Sequence, residues 1–322
     1  MADPQPVLAL DVGGTKLAAA LVDPGGRVLS ASQVATPHGS RVDGEVIWRT
    51  LVALLDGVAE AAGPVGGPVG VGVGCGGPML WPQGTVSPLN IPAWRDFPLR
   101  ERLSAHVPGV PVRVHNDAVC TAVGEHWRGA GRGRDNVLGM VVSTGVGGGL
   151  VLDGHLVDGA SGNAGHVGHV VVDPEGPDCV CGGRGCLEAV ARGPALAAWA
   201  EAQGWTPPGG RHPGPPNARD LAEDAARGHE IAVAALSRAG RALGVAIASA
   251  THLCDLEVVS VGGGLSQAGP LLFDPMDEAF RRHARMDFVR EVRVVPAALG
   301  QEAGLVGAAA LVLAGDRYWH AD

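Results

Sequence analysis

Residues 7–16 read VLALDVGGTK, a short apolar run that ends in an aspartate, two glycines, a threonine and a lysine. Residues 17–22 are apolar again and DPGGR follows as a turn, so this stretch predicts two strands joined by a glycine turn. The pattern returns at residues 137–149, VLGMVVSTGVGGG, which precede a second apolar run and the turn Asp153-Gly154-His155. The second half of the chain therefore repeats the plan of the first.

Two matched glycine turns, each opening its own domain, indicate gene duplication with a cleft between the halves. Glycines at such turns let the backbone approach an anion closely and point N–H groups at it. Neither turn matches GxxxxGK[ST] or GxGxxG, which excludes a P-loop and a Rossmann site. Either turn alone also fits an ordinary tight hairpin, but the matched pair favours phosphate loops.

The rest of the chain alternates between strand and helix patterns, which predicts an α/β fold. Strands are predicted over residues 69–74, 110–114 and 257–261, and the last of them leads into a third glycine turn at 262–264. Helices are predicted over residues 43–62, 118–128, 194–203, 218–243 and 304–314, with an exposed Pro/Gly-rich loop at 207–216.

Length and charge narrow the class of protein. The chain has 322 residues, which favours two domains around separate cores. Its net charge is -9 and it has no long basic run, so neither nucleic acid nor an anionic membrane is expected as a partner. No basic leader segment and no long uninterrupted apolar run are present, so we expect a soluble cytoplasmic protein.

One carboxylate stands where α/β sheets bind ligands. Asp117 follows a predicted strand and precedes a predicted helix, so it lies at the carboxyl end of that strand. An aspartate here also fits a helix N-cap. His115, two residues before Asp117, fits a core histidine whose hydrogen bonds are satisfied. Phosphoryl transfer needs a base at the attacking hydroxyl, loops around the phosphates and a metal ion. Asp117 and the two glycine loops match the protein's part of that requirement.

These motifs resemble the ROK family of sugar kinases and repressors, within the sugar kinase/actin superfamily, over nearly the whole chain. Asp11-Val12-Gly13-Gly14-Thr15-Lys16 resembles the first phosphate loop, and Ser143-Thr144-Gly145-Val146-Gly147-Gly148-Gly149 resembles the second. Gly262-Gly263-Gly264 resembles the segment beside the adenosine, and Asn116-Asp117 the sugar-binding pair. Residues 164–188, AGHVGHVVVDPEGPDCVCGGRGCLE, resemble the signature Gly-Glu-x-Gly-His followed by Cys-x-Cys-Gly-x-x-Gly-Cys-x-Glu.

The resemblance implies two actin-like (ribonuclease H-like) domains around a central cleft. The smaller one would comprise residues 1–117 with a C-terminal helix at 300–322, and the larger one residues 118–299. It also implies ATP with Mg²⁺ as phosphoryl donor, transfer to the C6-type hydroxyl of a small-molecule sugar, and a homodimer. Asp117 would be the general base, and Asn116, His169 and Glu188 would hold the sugar. Asn90 resembles the Asn of a Pro-Asn-Leu segment, although Leu89 separates it from Pro88.

A metal clip is predicted in the larger domain. Cys179, Cys181 and Cys186 have the spacing C-x-C-x4-C, and His169 lies ten residues before the first of them. Spacing and resemblance together predict a tetrahedral structural zinc site with no open position for water. Free thiols on a flexible loop are the alternative. Glu188 follows the last cysteine closely and fits a pocket wall, although a surface helix carboxylate would look the same.

One position departs from the family pattern. His166 stands where the family usually has glutamate, which accepts hydrogen bonds from hydroxyls on the C2–C3 side of a hexose. Neutral imidazole offers one acceptor and one donor, and the lost charged acceptor should cost about 1.5–3 kcal/mol with glucose. A donor here would suit a carbonyl, as in an N-acetyl sugar, or a sugar-like cyclitol.

Other functions also fit parts of the sequence. A glucokinase that tolerates His166 is one of them, and polyphosphate could replace ATP as the donor. A sugar-responsive repressor is disfavoured because only ten residues precede Asp11 and no helix-turn-helix domain is seen there. A non-catalytic sugar-binding protein is disfavoured by Asp117 and the two phosphate loops.

Overall fold

The computed structural model describes residues 5–39, 42–61, 67–207 and 217–321. Within them the strands are β1 (Val7–Val12), β2 (Lys16–Val22), β3 (Val28–Ala35), β4 (Val71–Cys75), β5 (Met79–Leu80), β6 (Thr85–Val86), β7 (Phe97–Pro98), β8 (Val112–Asn116), β9 (Val137–Val142), β10 (Val146–Leu152), β11 (His155–Leu156), β12 (Val258–Gly262) and β13 (Arg293–Pro296). The helices are α1 (Gly44–Ala61), α2 (Leu99–His106), α3 (Asp117–Arg128), α4 (Leu187–Ala191), α5 (Gly193–Ala202), α6 (Ala218–Ala226), α7 (Glu230–Cys254), α8 (Pro270–His283), α9 (Ala303–Leu313) and α10 (Gly315–Tyr318).

The chain forms two compact units. Unit 1 comprises Met1–Gly133, Gly149–Ala164 and Ala298–Asp322, and unit 2 comprises Arg134–Gly148 and Gly165–Ala297. The domain bounds predicted from sequence stay a prediction. The compact units divide the chain differently, because α3 packs along α9 and therefore belongs to unit 1.

Unit 1 is built on a five-stranded sheet of order β3-β2-β1-β4-β8 with helices on both faces. The central strand β1 is apolar on both sides, and its alternate residues enter two different cores. Leu8 and Leu10 join a core that includes Leu51 of α1. Val7 joins a core with Val306 of α9. A strand buried on both faces needs such a continuous apolar run, which explains the sequence that precedes Asp11.

Helices α3 and α9 cross very closely. A Cβ on Gly307 would collide with the carbonyl of Cys120. Where α3 ends, the buried carboxylate of Glu125 accepts hydrogen bonds from the backbone N–H groups of Ala130, Ala298 and Leu299, at nitrogen–oxygen distances of 2.8–2.9 Å. Glu125 thus joins the end of α3 to the segment that leads into α9.

In unit 2, β9, β12 and β13 run parallel, and the sheet to which they belong has the order β11-β10-β9-β12-β13. Helix α7 packs against α8, α6, α4 and α5. Among the described residues it is the one helix long and apolar enough to cross a membrane by length and composition. However, 61% of its most apolar window is buried in the protein, as in the core helix of a globular domain.

The predicted α/β alternation is confirmed, with one helix divided differently. The prediction of a single helix over residues 218–243 is wrong, because α6 ends at Ala226 and α7 starts at Glu230. Gly228 between them has a φ of 84°, in the left-handed region, and this conformation breaks the helix. The predicted Pro/Gly-rich loop lies, beyond Pro207, outside the described residues.

Candidate active site and metal site

The first glycine loop is a tight turn between β1 and β2 that a buried threonine holds. The Gly13 N–H donates to the Lys16 carbonyl, with nitrogen and oxygen 3.0 Å apart. Thr36 Oγ1 donates to the Gly13 carbonyl at 2.7 Å, and the Thr36 N–H donates to the Thr15 carbonyl at 3.1 Å. Sequence patterns did not single out Thr36. Its only signal is the Thr-Pro pair that directly follows β3.

Two aspartates reach the same edge of the sheet in unit 1. Strands β1, β4 and β8 run parallel, and their register pairs Asp11 with Gly74 and Gly74 with His115. The carboxyl ends of parallel strands meet at one edge, where α/β sheets bind ligands. Asp11 near the end of β1 and Asp117 just past the end of β8 therefore lie at that edge.

The electrostatics show that these two carboxyl groups interact. Burial, followed by the charge of Asp117, raises the pKa of Asp11 from 3.8 to about 6, whereas Lys16 acts in the opposite direction. A buried carboxyl group whose ionisation is opposed by a second carboxylate is an environment that a divalent cation would stabilise.

Asn116 caps helix α3, and Asp117 is the first residue of that helix. Asn116 Oδ1 accepts from the N–H groups of Ala118 and Val119, at 3.0 and 3.4 Å. One oxygen of Asp117 accepts from the Ala118 N–H at 2.9 Å. The alternative that Asp117 is the N-cap is therefore wrong, and its half-exposed carboxylate lies at the amino end of the helix.

Asn90 lies over the first glycine loop. A Cβ on Gly14 would be 2.6 Å from the Asn90 Cβ, so only glycine permits this approach. A Cβ on Gly76 would be 3.4 Å from Asn90 Oδ1, and one on Gly77 would be 3.6 Å from Asn116 Nδ2. The amide groups of Asn90 and Asn116 thus border the same glycine segment after β4.

Unit 2 brings the second and third glycine segments together. Strands β9 and β12 are parallel neighbours, so the turn after β9 and the turn after β12 lie at one sheet edge. The Ser143 N–H donates to the Gly145 carbonyl at 2.8 Å, and the Ser143 carbonyl accepts from the Gly193 N–H at 2.8 Å. A Cβ on Gly264 would be 3.6 Å from Ser143 Oγ. Thr144 is exposed in this turn.

Not all of the predicted second loop is a turn. Gly147 and Gly148 lie within strand β10, which begins at Val146. A Cβ on Gly148 would be 2.7 Å from the Gly139 carbonyl, so this glycine also meets a packing requirement. In the third segment, Gly262 ends β12 and Gly263 and Gly264 follow it.

The four predicted metal ligands meet in one cluster. The candidate ligand atoms of His169, Cys179, Cys181 and Cys186 all lie within 4.8 Å of one another. The Sγ atoms of Cys181 and Cys186 are 3.8 Å apart, and Cys179 Sγ is 3.8 Å from His169 Nδ1. A tetrahedral zinc site with bonds of about 2.3 Å to sulfur has edges of about 3.8 Å between sulfur atoms. The donor set and spacing therefore fit Zn²⁺.

The same cluster positions the two remaining predicted pocket residues. The rings of His166 and His169 are nearly parallel, with centroids 6.4 Å apart, and both side chains are exposed. Glu188 is in α4, immediately after the Cys186-Leu187 pair, and its Oε2 accepts from the Val146 N–H at 3.0 Å. Glu188 therefore also fixes the start of β10 beside the second glycine loop, a contact that sequence reasoning missed.

The predicted site residues thus fall into two sets, one in each unit. Unit 1 holds Asp11, Gly13, Gly14, Thr15, Lys16, Asn90, Asn116 and Asp117, and unit 2 holds Thr144, Gly145, Gly147, Gly148, His166, His169, Cys179, Cys181, Cys186, Glu188, Gly262, Gly263 and Gly264.

Comparison with known proteins shows similarity to one family model and to sugar kinases over nearly the whole chain. The family model described as "ROK family" matches residues 7–314. A glucokinase of Thermotoga maritima is 34% identical over 317 residues, which cover 95% of this chain and 96% of that protein. An N-acetylmannosamine kinase of Yersinia pseudotuberculosis is 33% identical over 306 residues, which cover 94% and 96%.

A solved structure is similar over the same extent. The ROK family glucokinase from Streptomyces griseus, in complex with glucose and AMPPNP, is 36% identical, with a TM-score of 0.80 and coverage of 95% of this chain and 98% of that one. This similarity confirms the predicted actin-like α/β fold.

Proposed function

The chain belongs to the ROK family, and on that premise we propose that it transfers the terminal phosphoryl group of ATP to the primary, C6-type hydroxyl of a hexose or hexose-like sugar. The observation that carries the proposal is the arrangement of unit 1. Asp11 and Asp117 share a sheet edge, with a glycine turn at the end of β1 and two amide side chains beside them.

Asp117 is the proposed general base. It accepts the proton of the sugar hydroxyl as that oxygen attacks the terminal phosphorus, and ADP leaves with the electron pair of the broken P–O bond. The Ala118 N–H holds one oxygen of Asp117, which orients the carboxylate. Asn90 and Asn116, which border the same glycine segment, would hydrogen bond to sugar hydroxyls. In unit 2, His169 and Glu188 would contribute further contacts to the sugar.

The glycine segments would bind the nucleotide. The backbone N–H groups of the turn at Gly13–Thr15, together with Lys16, suit phosphate oxygens. The turn at Ser143–Gly145 and the segment Gly262–Gly264 share an edge in unit 2 and suit the remaining phosphates and the adenosine. Mg²⁺, when bound, neutralises charge on the triphosphate, and Asp11 is the carboxylate that would hold it.

We also propose one structural Zn²⁺ per chain, held by His169, Cys179, Cys181 and Cys186. The donor set and the 3.8 Å spacings support it. Four protein ligands leave no position for water, so the ion stabilises the loop and takes no part in the chemistry. Because Nδ1 of His169 is the ring nitrogen closer to Cys179, Nε2 stays available to a substrate hydroxyl.

A specific observation favours a second acceptor class, the N-acetylhexosamines. His166 is exposed beside His169. The family resemblance implies a glutamate at this position, which would accept hydrogen bonds from sugar hydroxyls. An imidazole N–H can instead donate to the carbonyl of a 2-acetamido group. The relative from Yersinia pseudotuberculosis, an N-acetylmannosamine kinase, is nearly as similar as the glucokinase from Thermotoga maritima.

A coupled ADP-release assay over an acceptor panel tests the proposal. The panel holds glucose, mannose, N-acetylglucosamine, N-acetylmannosamine, fructose and cyclitols, each with ATP and Mg²⁺ and again with polyphosphate as donor. We expect turnover of at least one hexose-type acceptor with ATP. The absence of turnover with every acceptor, from protein that binds zinc and unfolds cooperatively, would refute kinase function.

His166→Glu then separates the two acceptor classes. If His166 selects an acetamido group, the variant should raise kcat/KM for glucose about tenfold or more and lower it for the N-acetyl sugar, because a charged acceptor is restored. The same ratio of glucose to N-acetyl turnover in wild type and variant would remove the basis of the second candidate.

The proposal extends to assembly and location. The family resemblance implies a homodimer in the cytoplasm with a small-molecule sugar as its ligand, and the net charge of -9 fits a protein that binds neither nucleic acid nor anionic lipid. Light scattering of the zinc-loaded protein measures the dimer directly, and a monomeric mass at micromolar concentration would contradict it.

A further inference from the structure

A buried histidine precedes the proposed sugar-binding asparagine and general base. His115 is 1% exposed, at the end of β8. Its Nδ1 is 2.8 Å from the backbone nitrogen of Asn116. A backbone N–H can only donate, so Nδ1 must be the unprotonated acceptor. The neutral ring therefore carries its proton on Nε2.

That proton has a partner elsewhere in unit 1. His115 Nε2 is 3.0 Å from Asp158 Oδ1, and Asp158 is 9% exposed. Its second oxygen, Oδ2, is 3.2 Å from Nδ1 of His320 near the C-terminus. The Asp158 carbonyl accepts from the Ala164 N–H at 3.0 Å, which fixes the backbone of the loop that presents the carboxylate.

We propose that Asp158 is a positioning residue which, through His115, fixes the peptide that carries Asn116 and Asp117 at the end of β8. The inference rests on the proposed function, because it assigns a catalytic consequence to the placement of Asp117. Asp158 itself need not touch substrate or nucleotide. It holds the ring in the one tautomer and orientation that accepts from the Asn116 N–H.

The alternative tautomer shows why the carboxylate matters. A proton on Nδ1 would point at the Asn116 N–H, and two donors facing each other at 2.8 Å repel. The peptide would then have to move, and with it the N-cap amide of Asn116 and the base at the first residue of α3. Small displacements of a general base reduce turnover steeply, by as much as about 100-fold for about 1 Å.

A purely structural role for Asp158 would be to dock the C-terminal segment through His320. That segment has other anchors, however. The hydroxyl of Tyr318 is 2.7 Å from Nδ1 of His126, and both residues are buried. Trp319 packs edge-on against Trp81, with ring centroids 5.9 Å apart. Tyr318→Phe therefore loosens the same segment without touching His115, which makes it the matched control.

The experiment compares kcat and KM of wild type, Asp158→Ala, Asp158→Asn and Tyr318→Phe with the best acceptor of the panel. For Asp158→Ala we expect kcat at least about tenfold lower, with KM for ATP and for sugar within about twofold of wild type. Asp158→Asn keeps an acceptor oxygen and should recover most of the turnover. Tyr318→Phe should leave kcat unchanged.

A second measurement determines the tautomer of His115 and does not depend on activity. Nitrogen-15 NMR of the His115 ring should show a protonated Nε2 and an unprotonated Nδ1 in wild type, and a mixture of tautomers in Asp158→Ala. If wild type has this tautomer but phosphorylates no sugar, the proposed function fails while the structural part of the inference stands. A protonated Nδ1 in wild type, an unchanged kcat in Asp158→Ala, or an equal loss in Tyr318→Phe would each overturn the inference.

Discussion

Asp11→Asn should make the metal-free protein more stable while it abolishes turnover. Burial and the nearby charge of Asp117 raise the pKa of Asp11 from 3.8 to about 6. The unfolded chain therefore loses this proton at lower pH than the folded chain. Between pH 4 and pH 6 the folded state binds more protons, so the free energy of unfolding falls as the pH rises.

The raised pKa corresponds to about 3 kcal/mol of lost stability above pH 6, and to less than about 1 kcal/mol at pH 4. An asparagine at this position carries no charge, so the variant does not suffer this loss of stability. We therefore expect Asp11→Asn to be more stable than wild type by up to about 3 kcal/mol at pH 7.5, and the gain to shrink towards zero at pH 4.

Urea unfolding at both pH values, without nucleotide and without Mg²⁺, measures this difference. Asp287→Asn, which removes a carboxylate that is 88% exposed, is the matched control and should show no such gain. Asp117→Asn should lower the pKa of Asp11. The free energy of unfolding of this variant should therefore depend less on pH than that of wild type. If the stability difference between Asp11→Asn and wild type were the same at pH 4 and pH 7.5, the reasoning about the aspartate pair would be wrong.

Three further predictions concern the base, the metal and a buried carboxylate. Asp117→Asn should lower kcat by about 100-fold to 10,000-fold with little change in sugar affinity, measured by ADP release and calorimetry; an unaltered kcat would remove the general-base assignment. Wild type should contain one zinc per chain by elemental analysis, and Cys186→Ser should lose both the metal and thermal stability, whereas Cys254→Ser should lose neither. Glu125→Ala should cost about 3 kcal/mol or more in urea unfolding, because buried backbone N–H groups lose their acceptor; Glu125→Gln, which keeps one acceptor oxygen, should cost less.

Sequence patterns predicted the strands and the clustering of the three cysteines well because both depend on local spacing. Apolar runs bounded by glycine turns specify strands, and three cysteines within eight residues meet through one short loop. The helix over residues 218–243 was predicted wrongly because apolar periodicity continues across Gly228, and only its left-handed backbone divides α6 from α7.

Contacts between distant segments could not be predicted in this way. The position of Glu188, two residues after Cys186, indicated a pocket carboxylate. Its contact with the Val146 N–H, however, depends on the fold of unit 2. Thr36 has no motif beyond the proline that follows it, and its contact with the first glycine loop requires β3 to lie beside β2.

The amino-acid sequence by itself determined the α/β class, the family, the glycine loops and the identity of the candidate base. Each of these depends on short stretches of consecutive residues. Only the tertiary structure decided which carboxylates interact and which histidine is held by which acid. Asp11 and Asp117 are far apart in the chain, as are His115 and Asp158. The physical reason is that a pKa or a tautomer depends on burial and on the partner across space, and the register of parallel strands and the packing of loops create those partners.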